Sequence, residues 1–217
     1  MSRTLLAGGA AAALLASALT ASAATSANAA SSDVPAEKIQ LAVNTVNGSG
    51  CRAGTAAVAA SPDNTAFTVT YSDYLAMVGV GASPVDFRKN CQLNLDVYVP
   101  QGFTYAIAKV DYRGYGYLEK GASALQKASY YHQGASETGT SQKSFNGPFD
   151  GNWQAGITTE YADLVWAPCG VKRNFNINTE LRVSSGTSDT RKTTSFMTMD
   201  STDAAVSTTY HLAWEKC

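Results

Sequence analysis

A strict alternation of apolar and polar residues near the C-terminus constrains the fold of this chain more than any other feature. Residues 175–183 read Phe, Ile, Thr, Leu and Val at odd positions, with Asn, Glu and Arg between them. Residues 206–214 repeat the pattern, with Tyr210, Leu212 and Trp214 on one side. A period of two is that of a β-strand with one face in the core and the other in water. Such strands are typical of antiparallel sheets.

The rest of the chain contains few helical signals and about ten short segments of the same kind, separated by Gly, Pro, Asn and Asp. This arrangement predicts an all-β fold, an antiparallel β-sandwich in a single domain. The long segment 103–118 changes phase near Ala106, which predicts a β-bulge there. The polar stretch 134–146 is predicted to be a long, mobile loop.

The N-terminus has the features of a secretory signal peptide. Arg3 precedes an apolar run at residues 5–19, and Ala27-Asn28-Ala29 supplies a cleavage site. The run is too short to span a bilayer. We therefore expect a secreted protein in which residues 1–29 are the signal peptide, 30–37 a flexible mature N-terminus and 38–217 the sandwich domain, with no membrane span after cleavage.

Export permits disulfide bonds between the four cysteines. Four cysteines allow three pairings, and sequence alone does not choose among them. We favour Cys51–Cys91 and Cys169–Cys217, because each closes a loop within its own half of the chain. The ligands of structural zinc usually occur in closely spaced pairs. These four cysteines are far apart in sequence, which argues against a zinc site.

Charge and motifs argue against several function classes. Arg3 is the one charged residue of the leader, so the mature chain keeps 15 of the 16 basic and all 17 acidic residues, a net charge of −2. This balance argues against a nucleic-acid partner. The nucleophile elbow of hydrolases, the zinc-protease helix motif and the nucleotide-binding glycine loops do not occur. We expect no cofactor and no metal site.

Aromatic residues are concentrated in residues 112–117, which hold three tyrosines and an arginine. Exposed rings beside polar side chains can stack on sugar faces at low entropic cost. The predicted ligand-binding residues are Arg113, Tyr115, Tyr117, Tyr131 and Trp153, with Tyr131 expected on a strand that pairs with the tyrosine-rich segment. The alternative is that these rings form cross-strand pairs or belong to the core.

A carboxylate pair would instead indicate an enzyme. Glu160 and Asp163 flank an aromatic segment and are the alternative catalytic residues of a hydrolase of wall polymers, with Asp150 and Asp111 as further candidates. A third hypothesis is a protein-directed role, as an inhibitor or toxin. The preferred hypothesis is a non-catalytic binding protein for an extracellular polysaccharide or cell-wall glycan.

Six short motifs resemble a family of small extracellular proteins of filamentous bacteria and fungi, domain of unknown function 4360. They are NGSGC at 47–51, SPDN at 61–64, RKNC at 88–91, PQGF at 100–103, FNGP at 145–148 and YHLAWEKC at 210–217. The resemblance covers roughly residues 38–217. It implies secretion and a single domain, and it brings no catalytic residue, substrate or cofactor.

Overall fold

The computed structural model describes residues 34–199 and 207–217 of the chain. Within them the backbone forms twelve β-strands and a short 3-10 turn at Tyr161–Asp163. The strands are β1 (Gln40–Asn47), β2 (Ala56–Ala60), β3 (Ala66–Tyr71), β4 (Leu75–Gly79), β5 (Arg88–Tyr98), β6 (Phe103–Leu118), β7 (Ser123–His132), β8 (Gly139–Asn146), β9 (Phe149–Thr158), β10 (Phe175–Ser184), β11 (Thr194–Thr198) and β12 (Thr208–Lys216).

The strands form two antiparallel sheets, which confirms the predicted fold class. The five-stranded sheet has the order β1-β5-β10-β7-β8. The seven-stranded sheet has the order β2-β3-β12-β6-β11-β4, with β9 also paired to β6. One edge of the long strand β6 pairs with β12 along its first half and with β11 along its second half. The opposite edge of β6 pairs with β9.

The alternation of β10 is reproduced in its burial. Phe175, Ile177, Leu181 and Val183 are at most 1% exposed, and the intervening side chains face outward. The strand lies between β5 and β7, so its inner face is covered by the opposite sheet and its outer face meets water.

The phase change in β6 is also confirmed, two residues beyond the predicted position. His211 pairs with Lys109 and Leu212 with Ile107, which leaves Ala108 as the extra residue of a β-bulge. Tyr105 and Tyr112 are therefore both buried, although an unbroken strand would place them on opposite faces.

Aromatic side chains join the two sheets in the core. Phe67 stacks on Tyr210 with ring centroids 4.8 Å apart, and Phe175 from the other sheet meets the edges of both rings. Five tyrosines, Tyr71, Tyr74, Tyr105, Tyr112 and Tyr210, are at most 2% exposed. The core is thus rich in rings that carry a hydroxyl group.

Two disulfides fasten the domain, with the pairing favoured from the sequence. Cys51–Cys91 ties the segment after β1 to β5, and Cys169–Cys217 ties the segment before β10 to the residue after β12. In the chain-entropy view, closing loops of 40 and 48 residues stabilises the folded state by roughly 4 kcal/mol each.

The predicted loop 134–146 is wrong in its larger part. Residues 139–146 form β8, an edge strand that pairs with β7. Most of its side chains are at least partly exposed, so backbone hydrogen bonds rather than apolar burial hold it in the sheet. That is why the hydrophobic pattern gave no signal.

The segment before β1 lies against the domain. The carbonyl oxygens of Pro35 and Glu37, within the predicted N-terminal segment 30–37, accept hydrogen bonds from the side chain of Asn64. The predicted signal peptide, its cleavage site and Val206 lie outside the described residues. Within residues 34–199 and 207–217, no helix has the length and hydropathy that a membrane-spanning helix requires.

Candidate ligand-binding face

The fold separates the five predicted ligand-binding residues into three environments. Arg113, Tyr115 and Tyr117 point outward from the second half of β6, on the outer face of the seven-stranded sheet. Tyr131 lies on the outer face of the five-stranded sheet, and Trp153 is buried in β9 with 4% exposure. The structure thus brings together only the three residues of the tyrosine-rich segment.

Alternation along β6 explains the outward position of the two tyrosines. Gly114 and Gly116 take the inward positions between them. A β-carbon on Gly114 would lie 1.9 Å from the Thr198 carbonyl oxygen and 2.5 Å from the Trp153 ring. Glycine is therefore required at position 114, where another strand and an indole ring approach the backbone closely.

Trp153 supports the tyrosine segment from inside. Its indole N–H lies 3.2 Å from both the Tyr115 and the Thr198 carbonyl oxygens, and its ring packs on Phe145. The prediction that Trp153 contacts a ligand is wrong in this geometry, because the ring face is covered by protein. Its hydrogen bonds instead hold β6 and β11 in place.

Phe196 completes a row of three rings that we call the aromatic strip, consisting of Tyr115, Tyr117 and Phe196. The Phe196 ring centroid lies 6.0 Å from that of Tyr115 and 6.1 Å from that of Tyr117, with interplanar angles of 36° and 26°. Both tyrosines are 36% exposed. Phe196 was not predicted as a site residue, since only the pairing of β11 with β6 brings it to this face.

Carboxylates fix the hydroxyl ends of the two tyrosines. Tyr115 donates a hydrogen bond to Asp150, and Tyr117 donates to Glu119 at 2.9 Å. These bonds stabilise the protonated phenols and raise the pKa of both tyrosines. The rings are therefore held in one orientation, and the carboxylates keep further acceptor sites toward solvent.

A charged cluster lies on the same outer face, toward the start of β6. Asp111, only 6% exposed, accepts hydrogen bonds from Lys109 Nζ at 2.8 Å, His211 Nε2 at 3.0 Å and Gln154 Nε2 at 3.2 Å. Gly156 leaves room for this carboxylate, since a β-carbon there would lie 3.2 Å from Asp111 Oδ1. Burial alone would raise the pKa of Asp111, but the bonds from Lys109 and His211 outweigh it and lower the pKa.

The candidate catalytic carboxylates are not assembled into a pair on this face. In the register of β9 with β6, Asp150 lies opposite Tyr117, which is six residues along β6 from Asp111. At about 3.3 Å per residue the two positions are roughly 20 Å apart, whereas paired glycosidase carboxylates are at most about 9.5 Å apart. Asp111 is moreover engaged by three donors.

Glu160 and Asp163 lie at the 3-10 turn, and both are exposed. Asp163 lines a cavity of about 90 Å³ together with the buried His132. Glu160 is not part of that lining. The turn therefore does not direct both carboxylates into one cavity.

Tyr131 belongs to a different surface. Its strand, β7, pairs with β10 and β8 and not with β6, so the expected neighbourhood with the tyrosine-rich segment is wrong. Next to it the outer face carries an asparagine ladder, in which Asn94 Nδ2 donates to Asn176 Oδ1 at 2.7 Å and Asn174 Nδ2 donates to Asn94 Oδ1 at 2.8 Å. The two outer faces thus differ in chemistry.

Comparison with known proteins gives two matches. The family described as Domain of unknown function (DUF4360) matches residues 37–217. A protein of Arthroderma benhamiae described as "Uncharacterized secreted protein" is 34% identical over 181 residues, which cover 83% of this chain and 73% of that protein.

The two disulfides agree with the secreted relative, because such bonds persist in oxidising compartments outside the cytosol. The protein is therefore extracellular.

Proposed function

This chain belongs to the DUF4360 family, and we propose that it is a secreted, non-catalytic protein that binds an extracellular polysaccharide or cell-wall glycan. The observation that carries the proposal is the aromatic strip: three neighbouring rings on the open face of a sheet, with carboxylates at their edge. We further propose that residues 1–29 are a signal peptide that directs export.

The strip supplies the two kinds of contact that sugars require. Ring faces cover the C–H surface of a pyranose, and side chains such as Asp150 and Glu119 can accept hydrogen bonds from its hydroxyls. Tyr115 and Tyr117 are two residues apart on one strand, a spacing of roughly 6.6 Å. A linear polymer can therefore contact both rings along β6.

Preorganisation favours binding on this face. The hydroxyl bonds to Asp150 and Glu119 hold the two tyrosine rings, and Trp153 holds the backbone beneath them. Little side-chain freedom remains to be lost when a ligand binds. Arg113 and Asn152 are exposed beside the strip and supply further hydrogen-bond donors.

The test is retention of the oxidised mature protein on insoluble chitin, cellulose, glucan and peptidoglycan, with the supernatants assayed for released sugar. We expect retention on at least one polymer without release. Substituting Tyr115→Ala together with Tyr117→Ala should weaken retention about 10- to 30-fold, since each ring contributes about 1 kcal/mol to stacking.

The matched control is Tyr98→Ala together with Tyr161→Ala, two tyrosines that are 45% and 66% exposed away from the strip. This variant should be retained like the unmodified protein. Equal retention of both double variants would refute the strip as the binding site. Sugar release that is lost in Glu160→Gln would replace the binding hypothesis with the hydrolase.

A further inference from the structure

A cavity of about 300 Å³ lies at the start of β6, the opposite end of this strand from the aromatic strip. Tyr105 lines the cavity, and Tyr115 of the strip follows ten residues later, roughly 33 Å along the strand. The cavity and the aromatic strip are therefore separate surfaces, and a ligand of the cavity would bind independently of a glycan on the strip.

The walls of the cavity are mainly apolar and come from three segments. Val97 lies near the end of β5 and Val99 follows that strand, the start of β6 provides Phe103 and Tyr105, and the loop before β10 provides Val171. A volume near 300 Å³ lies at the lower end of the range of small-molecule sites. With roughly 30 Å³ for each water-sized unit, the cavity accommodates about ten non-hydrogen atoms.

The loop that forms the outer wall is fixed in place. Ala167 N–H donates to the Tyr105 carbonyl oxygen at 2.9 Å, and Thr104 Oγ1 donates to the Ala167 carbonyl oxygen at 2.5 Å. Two residues further on, Cys169 is joined to Cys217, whose N–H donates to the Gly102 carbonyl oxygen at 2.9 Å. The cavity is thus formed before any ligand arrives.

Two cationic residues of this loop line the cavity, and they differ in their partners. Lys172 forms an ion pair with Asp96 at 2.7 Å. Arg173 is exposed, and its guanidinium forms no ion pair or hydrogen bond with residues 34–199 or 207–217. Arg173 lines the cavity, and its guanidinium lies next to Gly134, 3.5 Å from where a β-carbon on that glycine would be. A guanidinium without a protein partner can bind a carboxylate through two parallel hydrogen bonds.

We propose that this cavity binds an amphipathic organic acid of about ten non-hydrogen atoms, with its aliphatic chain against Val97, Phe103 and Val171 and its carboxylate on Arg173. Burial of the chain supplies the affinity, and Arg173 selects the charge of the head group. The ligand has the chemistry of a medium-chain fatty acid.

Octanoate, with eight carbons and two oxygens, is the probe. Its binding to the oxidised mature protein is measured by titration calorimetry, alongside butyrate, hexanoate, decanoate and octylamine. Because each buried methylene contributes about a four-fold gain, octanoate should bind roughly 15-fold more tightly than hexanoate. The gain should level off beyond octanoate, and octylamine should bind at least several-fold more weakly.

Two matched pairs of variants locate the site. Val171→Trp fills the mouth of the cavity and should reduce octanoate affinity at least ten-fold, whereas Val80→Trp, a similarly exposed valine at a turn, should not change it. Arg173→Gln should weaken octanoate about three-fold and leave octanol unchanged, whereas Arg191→Gln should affect neither.

Absence of octanoate binding would overturn the proposal. So would affinity that does not rise with chain length, or equal binding by the Val171→Trp and Val80→Trp proteins. Equal affinity for octanoate and octylamine would overturn the role of Arg173. Glycan retention of the same variants should stay unchanged, which keeps this result distinct from the test of the aromatic strip.

Discussion

Trp214 in the last strand donates its indole N–H to the carbonyl oxygen of Asn64 at 2.7 Å, across 150 residues of sequence. Asn64 is 2% exposed and adopts a positive φ of 58° in the turn between β2 and β3. Its side-chain amide donates to Pro35 and Glu37, and its Oδ1 accepts the N–H of Ile39 at 3.2 Å. One residue thus joins the N-terminal segment, a hairpin and the last strand.

We expect Asn64→Ala to destabilise the protein by about 2–4 kcal/mol, because it removes three side-chain hydrogen bonds and leaves buried backbone groups unpaired. Asn64→Gly should cost roughly 1 kcal/mol less than Asn64→Ala, since glycine adopts the positive φ without strain. Denaturant unfolding measures both values. Asn152→Ala, an exposed asparagine, is the control and should stay within about 0.5 kcal/mol. Equal stability of all three variants would show that the Asn64 contacts carry no net energy.

The two glycines beneath the aromatic strip provide a comparison within one strand. Gly114→Ala should destabilise the fold by about 3 kcal/mol or more, because the added carbon meets the Thr198 carbonyl oxygen at 1.9 Å and the Trp153 ring. Gly116→Ala should cost less than about 1 kcal/mol, since its nearest atom is 3.3 Å away on the Phe149 ring. Thermal unfolding distinguishes them, and similar melting temperatures for both variants would contradict the close approach of Trp153.

Alkaline pH should unfold the protein cooperatively. Burial raises the pKa of Tyr71, Tyr74, Tyr105, Tyr112 and Tyr210, so the folded state keeps protons that the unfolded state loses near pH 10. Stability is complete below pH 10 and falls as pH rises above it, by about 1.4 kcal/mol per tyrosine and pH unit. Five such residues remove about 7 kcal/mol by pH 11, comparable with the total stability of a domain.

The measurement is ultraviolet absorbance of tyrosinate together with circular dichroism across an alkaline titration. Any rise in tyrosinate absorbance that precedes the unfolding step should leave the β-sheet signal unchanged. The buried tyrosines should ionise only in the step in which the β-sheet signal is lost. Ionisation of all eleven tyrosines before any loss of that signal would contradict the buried positions.

Local patterns predicted strands β6, β10 and β12, each of which has an apolar face toward the core. The alternation of residues 175–183 and the phase change near Ala108 follow from side chains that must enter one core. Strand β8 was missed because its place at the sheet edge depends on backbone pairing with β7. Backbone hydrogen bonding of this kind leaves no periodic pattern of side chains in the sequence.

The sequence predicted only the part of the candidate site that lies on one strand, β6. Arg113, Tyr115 and Tyr117 share a face because they alternate along β6. Phe196 joins them, and Tyr131 is separated from them, through the order of strands in the sheets. Which strands become neighbours over such distances in sequence depends on the whole fold, so local sequence patterns cannot predict it.

The central places of β10 and β12 determine when this chain can fold. β10 lies between β5 and β7, and β12 lies between β3 and β6. Until residues 175–216 are present, both sheets are divided into halves with unpaired edges, and most of the final contacts connect distant parts of the sequence. Both native sheets therefore depend on the last fifth of the chain, and neither can close until those residues are available.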